Sequence, residues 1–375
     1  MTGEHKPFYQ RLSLTLLSLG ILAAAIVLGK EVLLPILFAV LLSMMLLPIA
    51  NYLAGKGFHR ILSIGLPVLL TLIVFGGLVY FLSAQIINFL DDAPELNKKL
   101  SEVGSATQKW INQNIHITVR KQNEYIKETV EGIKDNSPKL VGFTFGSLTG
   151  ILTYIILLPI YTFLMLYYRT HIKKFLVGVF KNGSEEKVNE VLEESSTVAQ
   201  QYLTGLMIET GIVFTLNTIG FLLLGIKYAI FLALFAALLN LIPYVGMLVA
   251  NVFCMMVTLA TAEDATTVAW VGAILAGVQL IDNHLLMPLI VGNKVRINAL
   301  VTIVGVLIGG LLCGIPGMFL AIPTLAVLKV IFDKVPDLNP WGELLGDIAP
   351  QETQVTKRAR LAISKVKGRP KPVKV

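Results

Sequence analysis

Long apolar runs parted by short polar breaks set the pattern of this chain. The first two, residues 12–29 and 32–50, are separated only by Lys30-Glu31, which predicts two helices joined by a tight hairpin. Pro35 falls in the first turn of the second helix, where a missing N–H breaks no helical bond. A polar loop with Lys56, His59 and Arg60 follows, and a third run starts at Ile61 and leaves the apolar zone around residues 85–91. Residues 91–139 are polar, with helical periodicity around 110–133, and predict a small extramembrane insert. A fourth run, 148–168, ends on Tyr167-Tyr168-Arg169, aromatic rings and then a cation, as expected at a membrane–water interface. Within 185–202 the apolar positions Val188, Val191, Leu192, Val198 and Tyr202 recur at helical spacing, with glutamates on the other faces. That pattern predicts an amphipathic helix on the cytoplasmic side.

The second half differs. Residues 204–224 and 267–287 read as ordinary spans, but 228–260 and 298–332 are too long. A straight helix over the first of these would measure roughly 50 Å against a hydrocarbon core of about 30 Å. Each overlong run is interrupted near its middle, by Asn240-Leu241-Ile242-Pro243-Tyr244-Val245-Gly246 and by Gly314-Ile315-Pro316-Gly317. They are either tilted broken spans or re-entrant hairpins. Hairpins put Lys294 and Arg296 inside and Glu263-Asp264 outside, the arrangement that the positive-inside rule favours. Two units of span plus hairpin, 204–260 and 267–332, then enter from opposite sides, an inverted-topology repeat of the kind secondary transporters use.

The expected fold is therefore an all-α polytopic membrane protein with about six full spans and two helical hairpins. Its regions are an N-terminal membrane scaffold over 1–90, a polar extracytoplasmic insert over 91–145, and span four with the amphipathic helix over 146–203. An inverted-repeat transport region covers 204–333 and a basic cytoplasmic tail 334–375.

Composition agrees. Of 375 residues 55% are hydrophobic and 15% charged, and the mean hydropathy is +0.73, which excludes a single soluble core. The formal charge of +7 comes mainly from the ends and short loops, and residues 355–375 hold eight Lys or Arg and no acid. Beside membrane spans such a tail marks the cytoplasmic side rather than nucleic-acid binding, so both termini are expected inside, in the cytoplasmic (inner) membrane. Lys30-Glu31, where a signal peptide would carry small residues, makes the first run a retained span. Cys254 and Cys313 lie within apolar runs and predict packing, not a disulfide or a metal site. With no His-Glu-x-x-His, Walker A or Gly-x-Ser-x-Gly pattern, neither an enzyme nor a cofactor is expected.

Candidate chemistry lies at membrane depth. Ionisable side chains there are unfavourable and usually functional, which singles out Glu209 in the fifth span and Asp282 in the seventh, with Gln279 and Asn283 beside it. His284 reads as a structural neighbour. Broken backbone at that depth must be buried or line a wet cavity, so Asn240, Pro243, Gly246, Pro316 and Gly317 at the two tips are candidate substrate or ion contacts.

Three blocks carry a resemblance. Asn240-Leu241-Ile242-Pro243-Tyr244-Val245-Gly246 resembles the N-x-I-P-x-x-G signature of the autoinducer-2 exporter (AI-2E) family. Asp282-Asn283-His284 with Pro288 and Gly292 is similar to its second signature, and the glycine-rich stretch 304–329 to its terminal block. The resemblance implies a secondary exporter of a small polar molecule such as the quorum-sensing signal autoinducer-2. It also implies a homo-oligomer, and an elevator-like motion of the hairpin region against the first four spans. Some members look like sodium–proton antiporters, which leaves a cation/proton antiporter as the alternative. A non-transporting scaffold that recruits partners through 91–139 and the tail is the reading from another class. Arg296-Ile297-Asn298 stands where many members carry a residue such as His followed by Pro, a departure from the family pattern.

Overall fold

In the computed structural model, residues 8–91, 137–179, 185–242, 245–262, 264–291 and 297–347 are described, together with 105 and 113. Nearly all of the polar insert, Pro243, Glu263, Lys294, Arg296 and the basic tail lie outside them. Among the described residues, five helices are long and apolar enough to cross a membrane: Leu12–Gly55, Arg60–Phe89, Glu185–Leu223, Thr266–Ile290 and Ala299–Lys334.

Helix α1 runs unbroken over Phe8–Gly55, 48 residues, so the hairpin expected at Lys30-Glu31 is absent. Lys and Glu are good helix formers, and Pro35, expected in a first turn, lies instead inside the helix, where it leaves the Glu31 carbonyl without a helical N–H but does not end the helix. Polarity alone did not make a turn. Helix α2 covers Arg60–Asp91 and α3 covers Ser137–Val179, which contains the fourth predicted run. The C-terminal half of α1 packs with α2 and α3 around Leu46, Ile64, Val68 and Leu166. At one end of this bundle Arg169 donates to Asn51 Oδ1 at 2.8 Å, and Arg60 donates to the Tyr167 carbonyl.

Helix α4 spans Glu185–Leu223, 39 residues, and joins the amphipathic segment to the fifth span without a break. The expectation of two helices fails here for the same reason, since nothing at 202–204 disfavours helix. The glutamate-rich half is tied down at both sides. Lys173 of α3 meets Glu193 at 3.0 Å, and a lysine from the end of the last long helix, Lys334, reaches Glu190 at 2.6 Å and Glu194 at 3.0 Å.

Both overlong runs reverse. The first forms α5, Ala229–Asn240, and α6, Val245–Thr261. These arms lie side by side: the Phe235 and Phe253 rings are 4.5 Å apart, and the Cys254 thiol points at the Leu232 carbonyl at 3.7 Å. With 12 and 17 residues the arms are roughly 18 and 26 Å long, each short of a hydrocarbon core of about 30 Å. Helix α7, Ala265–Ile281, starts on an Asp264 cap and widens into a π-helix over Asp282–Val291 that contains Pro288. The second overlong run, α8 (Ala299–Lys334), turns back at Gly314, whose φ of 67° and ψ of −150° suit glycine alone. Its arms touch through small residues, Gly305 against Leu325 and Gly309 against Gly317 and Ala321. Lipid gives no hydrophobic drive between helices, so such close backbone packing is what holds the arms together. A short 3₁₀ turn, Pro336–Leu338, and α9, Asn339–Leu345, then fold back so that Asn298 N–H donates to the Leu345 carbonyl at 2.9 Å.

A polar cluster at the first hairpin

The site is built where α4, the first hairpin and the α7–π junction meet. Glu209, Asn217 and Asp282 are 4%, 2% and 3% exposed, among the few buried polar side chains described. Asp282 is both the cap of α7 and the first residue of the π-helix, and the change of helical pitch turns its carboxyl inward. From the first hairpin tip, Asn240 Nδ2 donates to Asp282 Oδ2 at 3.0 Å. One turn before Asp282, Gln279 Nε2 donates to the same oxygen at 3.4 Å and to Asn283 Oδ1 at 3.2 Å. The Glu209 carboxyl of α4 lies close enough to the Asp282 carboxyl for the two charges to act on each other.

Two acids and their amide neighbours from three helical elements thus share one patch of interior. Its polar atoms are not all satisfied: Glu209 Oε2, Asn217 Oδ1 and Asp282 Oδ1 are buried without a partner among the described residues. Unpaired buried polar atoms are uncommon and need a reason. Beside them lies a cavity of about 10 Å³, lined by Asn217, Asn240, Asn251 and Gln279 and by apolar side chains such as Val213 and Leu275. That is room for one water or a small ion. Oxygen donors of carboxyl and amide type suit a proton or a hard monovalent cation, and also suit hydroxyl groups.

Of the residues expected from the sequence, Glu209, Asn240, Gln279, Asp282 and Asn283 converge here, although Asn283 is itself exposed. Gly246 contributes by absence of bulk, because a methyl there would run into the Leu239 carbonyl. It holds the first tip closed next to Asn240. Pro316 is half-buried and Gly317 buried in α8, where Gly317 packs on Gly309. The second tip does not reach the polar cluster: Cys313 and Met318, like Leu241 of the first tip, pack against an apolar core that includes Tyr202 and Leu206 of α4. His284 points outward, with Nδ1 3.0 Å from the Leu280 carbonyl. Pro243 lies outside the described residues.

Sequence reasoning gave Asn217 no site role and passed over Asn251. Both are amides inside apolar helices, the one signal that would have marked them. The π-helix had only Pro288 to announce it.

The sequence model described as "AI-2E family transporter" matches residues 15–337. The chain is 25% identical to "Putative transport protein YrrI" of Bacillus subtilis over 319 residues, 80% of this chain and 86% of that protein. It is likewise 25% identical to "Putative transport protein YhhT" of Escherichia coli over 357 residues, 93% of this chain and 96% of that one. "Putative permease PerM" of Escherichia coli is 26% identical over 201 residues, 53% of this chain and 57% of its own.

Proposed function

Since the chain belongs to the AI-2E transporter family and is a multi-pass membrane protein, we propose that it is a secondary transporter coupled to a proton or sodium ion through Glu209 and Asp282. The carrying observation is the pair of carboxyl groups in mutual reach, buried, with Glu209 Oε2 and Asp282 Oδ1 unpartnered. Two negative charges in a low dielectric repel, and a proton or small cation between them would relieve that repulsion. A site that needs a cation in one access state and releases it in the other is what coupling requires.

The cargo we assign is a small polar solute of the autoinducer-2 kind, exported, with hydroxyl groups met by the amides of Asn217, Asn240, Asn251 and Gln279. A plain cation/proton antiporter is the second reading, favoured by the cavity of about 10 Å³, which admits an ion and not a furanone in this conformation. The exporter reading therefore requires the hairpins to part. Each unit, α4 with α5–α6 and α7 with α8, is a long helix followed by a hairpin, which supports an inverted repeat with substrate access alternating across it. Because the unbroken α1 crosses once and not twice, its start falls on the face opposite Asn51, Arg169 and the end of α8, so only the C-terminal side keeps the cytoplasmic assignment. A non-transporting scaffold has no use for a broken helix whose tip holds a buried acid.

Flux in proteoliposomes of purified protein, with a pH gradient imposed and autoinducer-2 or sodium offered separately, tests this. Gradient-driven movement of either, lost in Asp282→Asn, supports the proposal and names the cargo. Unchanged flux in that variant refutes it.

A further inference from the structure

Away from the polar cluster, at one end of the α1–α2–α3 bundle, a cavity of about 320 Å³ is lined by Arg60, Tyr167, Tyr168, Thr170, His171 and Lys174. Among the described residues no acidic side chain lines it. Its depth in the membrane follows from the helices that frame it. On α3 the apolar run ends at Tyr167-Tyr168 and gives way to Arg169, and on the other side α2 turns apolar immediately after Arg60. Both changes fall at the same level, since Arg60 binds the Tyr167 carbonyl and Arg169 binds Asn51. The cavity therefore opens at a membrane–water interface.

The lining is arranged for an anion. The Arg60 guanidinium is fixed on two sides, over the Tyr167 ring at 4.6 Å and against the Tyr167 carbonyl, which leaves further N–H donors of its fork open. The neighbouring Lys173 is neutralised by Glu193, whereas Lys174, on the cavity side, makes no ion pair among the described residues. Thr170 adds a hydroxyl and His171 ring nitrogens. Next to these polar groups, on the membrane side, Ile61 and Tyr168 are exposed apolar surface.

We propose that this cavity binds the phosphate headgroup of an acidic phospholipid, with Arg60 and Lys174 on the phosphate and the acyl chains along Ile61 and Tyr168. Cations, hydroxyl and apolar flank at one interface match the two-part chemistry of such a lipid, and basic pockets between membrane helices have this use. A soluble phosphate would gain nothing from the flank. The site ties α2 to α3 and lies apart from Glu209 and Asp282, so it stands or falls independently of the coupling proposal.

Native mass spectrometry of the detergent-purified full-length protein, mixed with phosphatidylglycerol, phosphatidylcholine or inorganic phosphate, decides the matter. The expected result is preferential retention of phosphatidylglycerol, weakened roughly fivefold in Lys174→Gln, the equivalent of one surface cation. Because Arg60 also braces the bundle, Lys174→Gln carries the test, and its melting temperature in lipid-free detergent should equal that of wild type. Equal retention of the two lipids, or a Lys174→Gln protein indistinguishable from wild type, would overturn the proposal. Displacement of the lipid by millimolar inorganic phosphate would overturn it in favour of a free-anion site.

Discussion

Asp282 has one oxygen held by Asn240 and Gln279 and the other without a partner. A carboxyl half satisfied in this way is oriented and still able to take a proton or cation. Asp282→Asn keeps the shape and removes the charge, so coupled flux should fall to background while the protein still reaches the membrane in normal amount. Glu209→Gln should do the same if the two act as one unit, and the double variant should be no worse than either single one. Additive losses in the double variant would separate them. Glu209, Asp282 and Asn240 were legible in the sequence because polar groups inside apolar runs are conspicuous. Asn217 and Asn251 carry the same signal but no charge, and only tertiary packing shows that they share a cavity with Asn240 and Gln279.

At the scale of elements, the tips depend on glycines that admit no substitute. At Gly314 φ is 67° and ψ −150°, so Gly314→Ala should destabilise the second hairpin by about 1–3 kcal/mol, read as a lower melting temperature in detergent. Gly246→Ala should lower it by a similar ~1–3 kcal/mol through overpacking on the Leu239 carbonyl. A melting temperature unchanged in both would mean that the tips do not close as described. Helix α7 begins on Asp264, whose carboxyl accepts from the Thr266 hydroxyl and backbone N–H, and those bonds hold its pKa below the usual aspartate value of 3.8. A folded-state value below the unfolded one means the cap's contribution is present above the usual value and lost as pH falls through the folded one. Asp264→Ala should therefore flatten the acid side of the stability profile; a profile identical to wild type would count against the cap. The hairpins were readable from run length and Gly/Pro breaks. The continuity of α1 across Lys30-Glu31, and of α4 across the amphipathic segment, was not, since a charged pair interrupts hydropathy without interrupting helix.

Over the whole molecule, one apolar cluster links Leu34 and Leu41 of α1 with Tyr202 and Leu206 of α4 and with Val306 and Leu320 of α8. The bundle of α1–α3 and the hairpin-bearing half thus meet largely through side chains without directional bonds, the kind of surface along which one body can shift against another. Movement of that half would open the polar cluster to each side in turn and make room for a solute larger than the present cavity. Internal pH in proteoliposomes, followed with a trapped dye after a solute or sodium gradient is imposed, tests the central claim most directly. The account predicts proton movement that requires the gradient, saturates with cargo and disappears in Asp282→Asn and in Glu209→Gln. Proton movement that persists in both variants, or that proceeds without cargo at the wild-type rate, would contradict it.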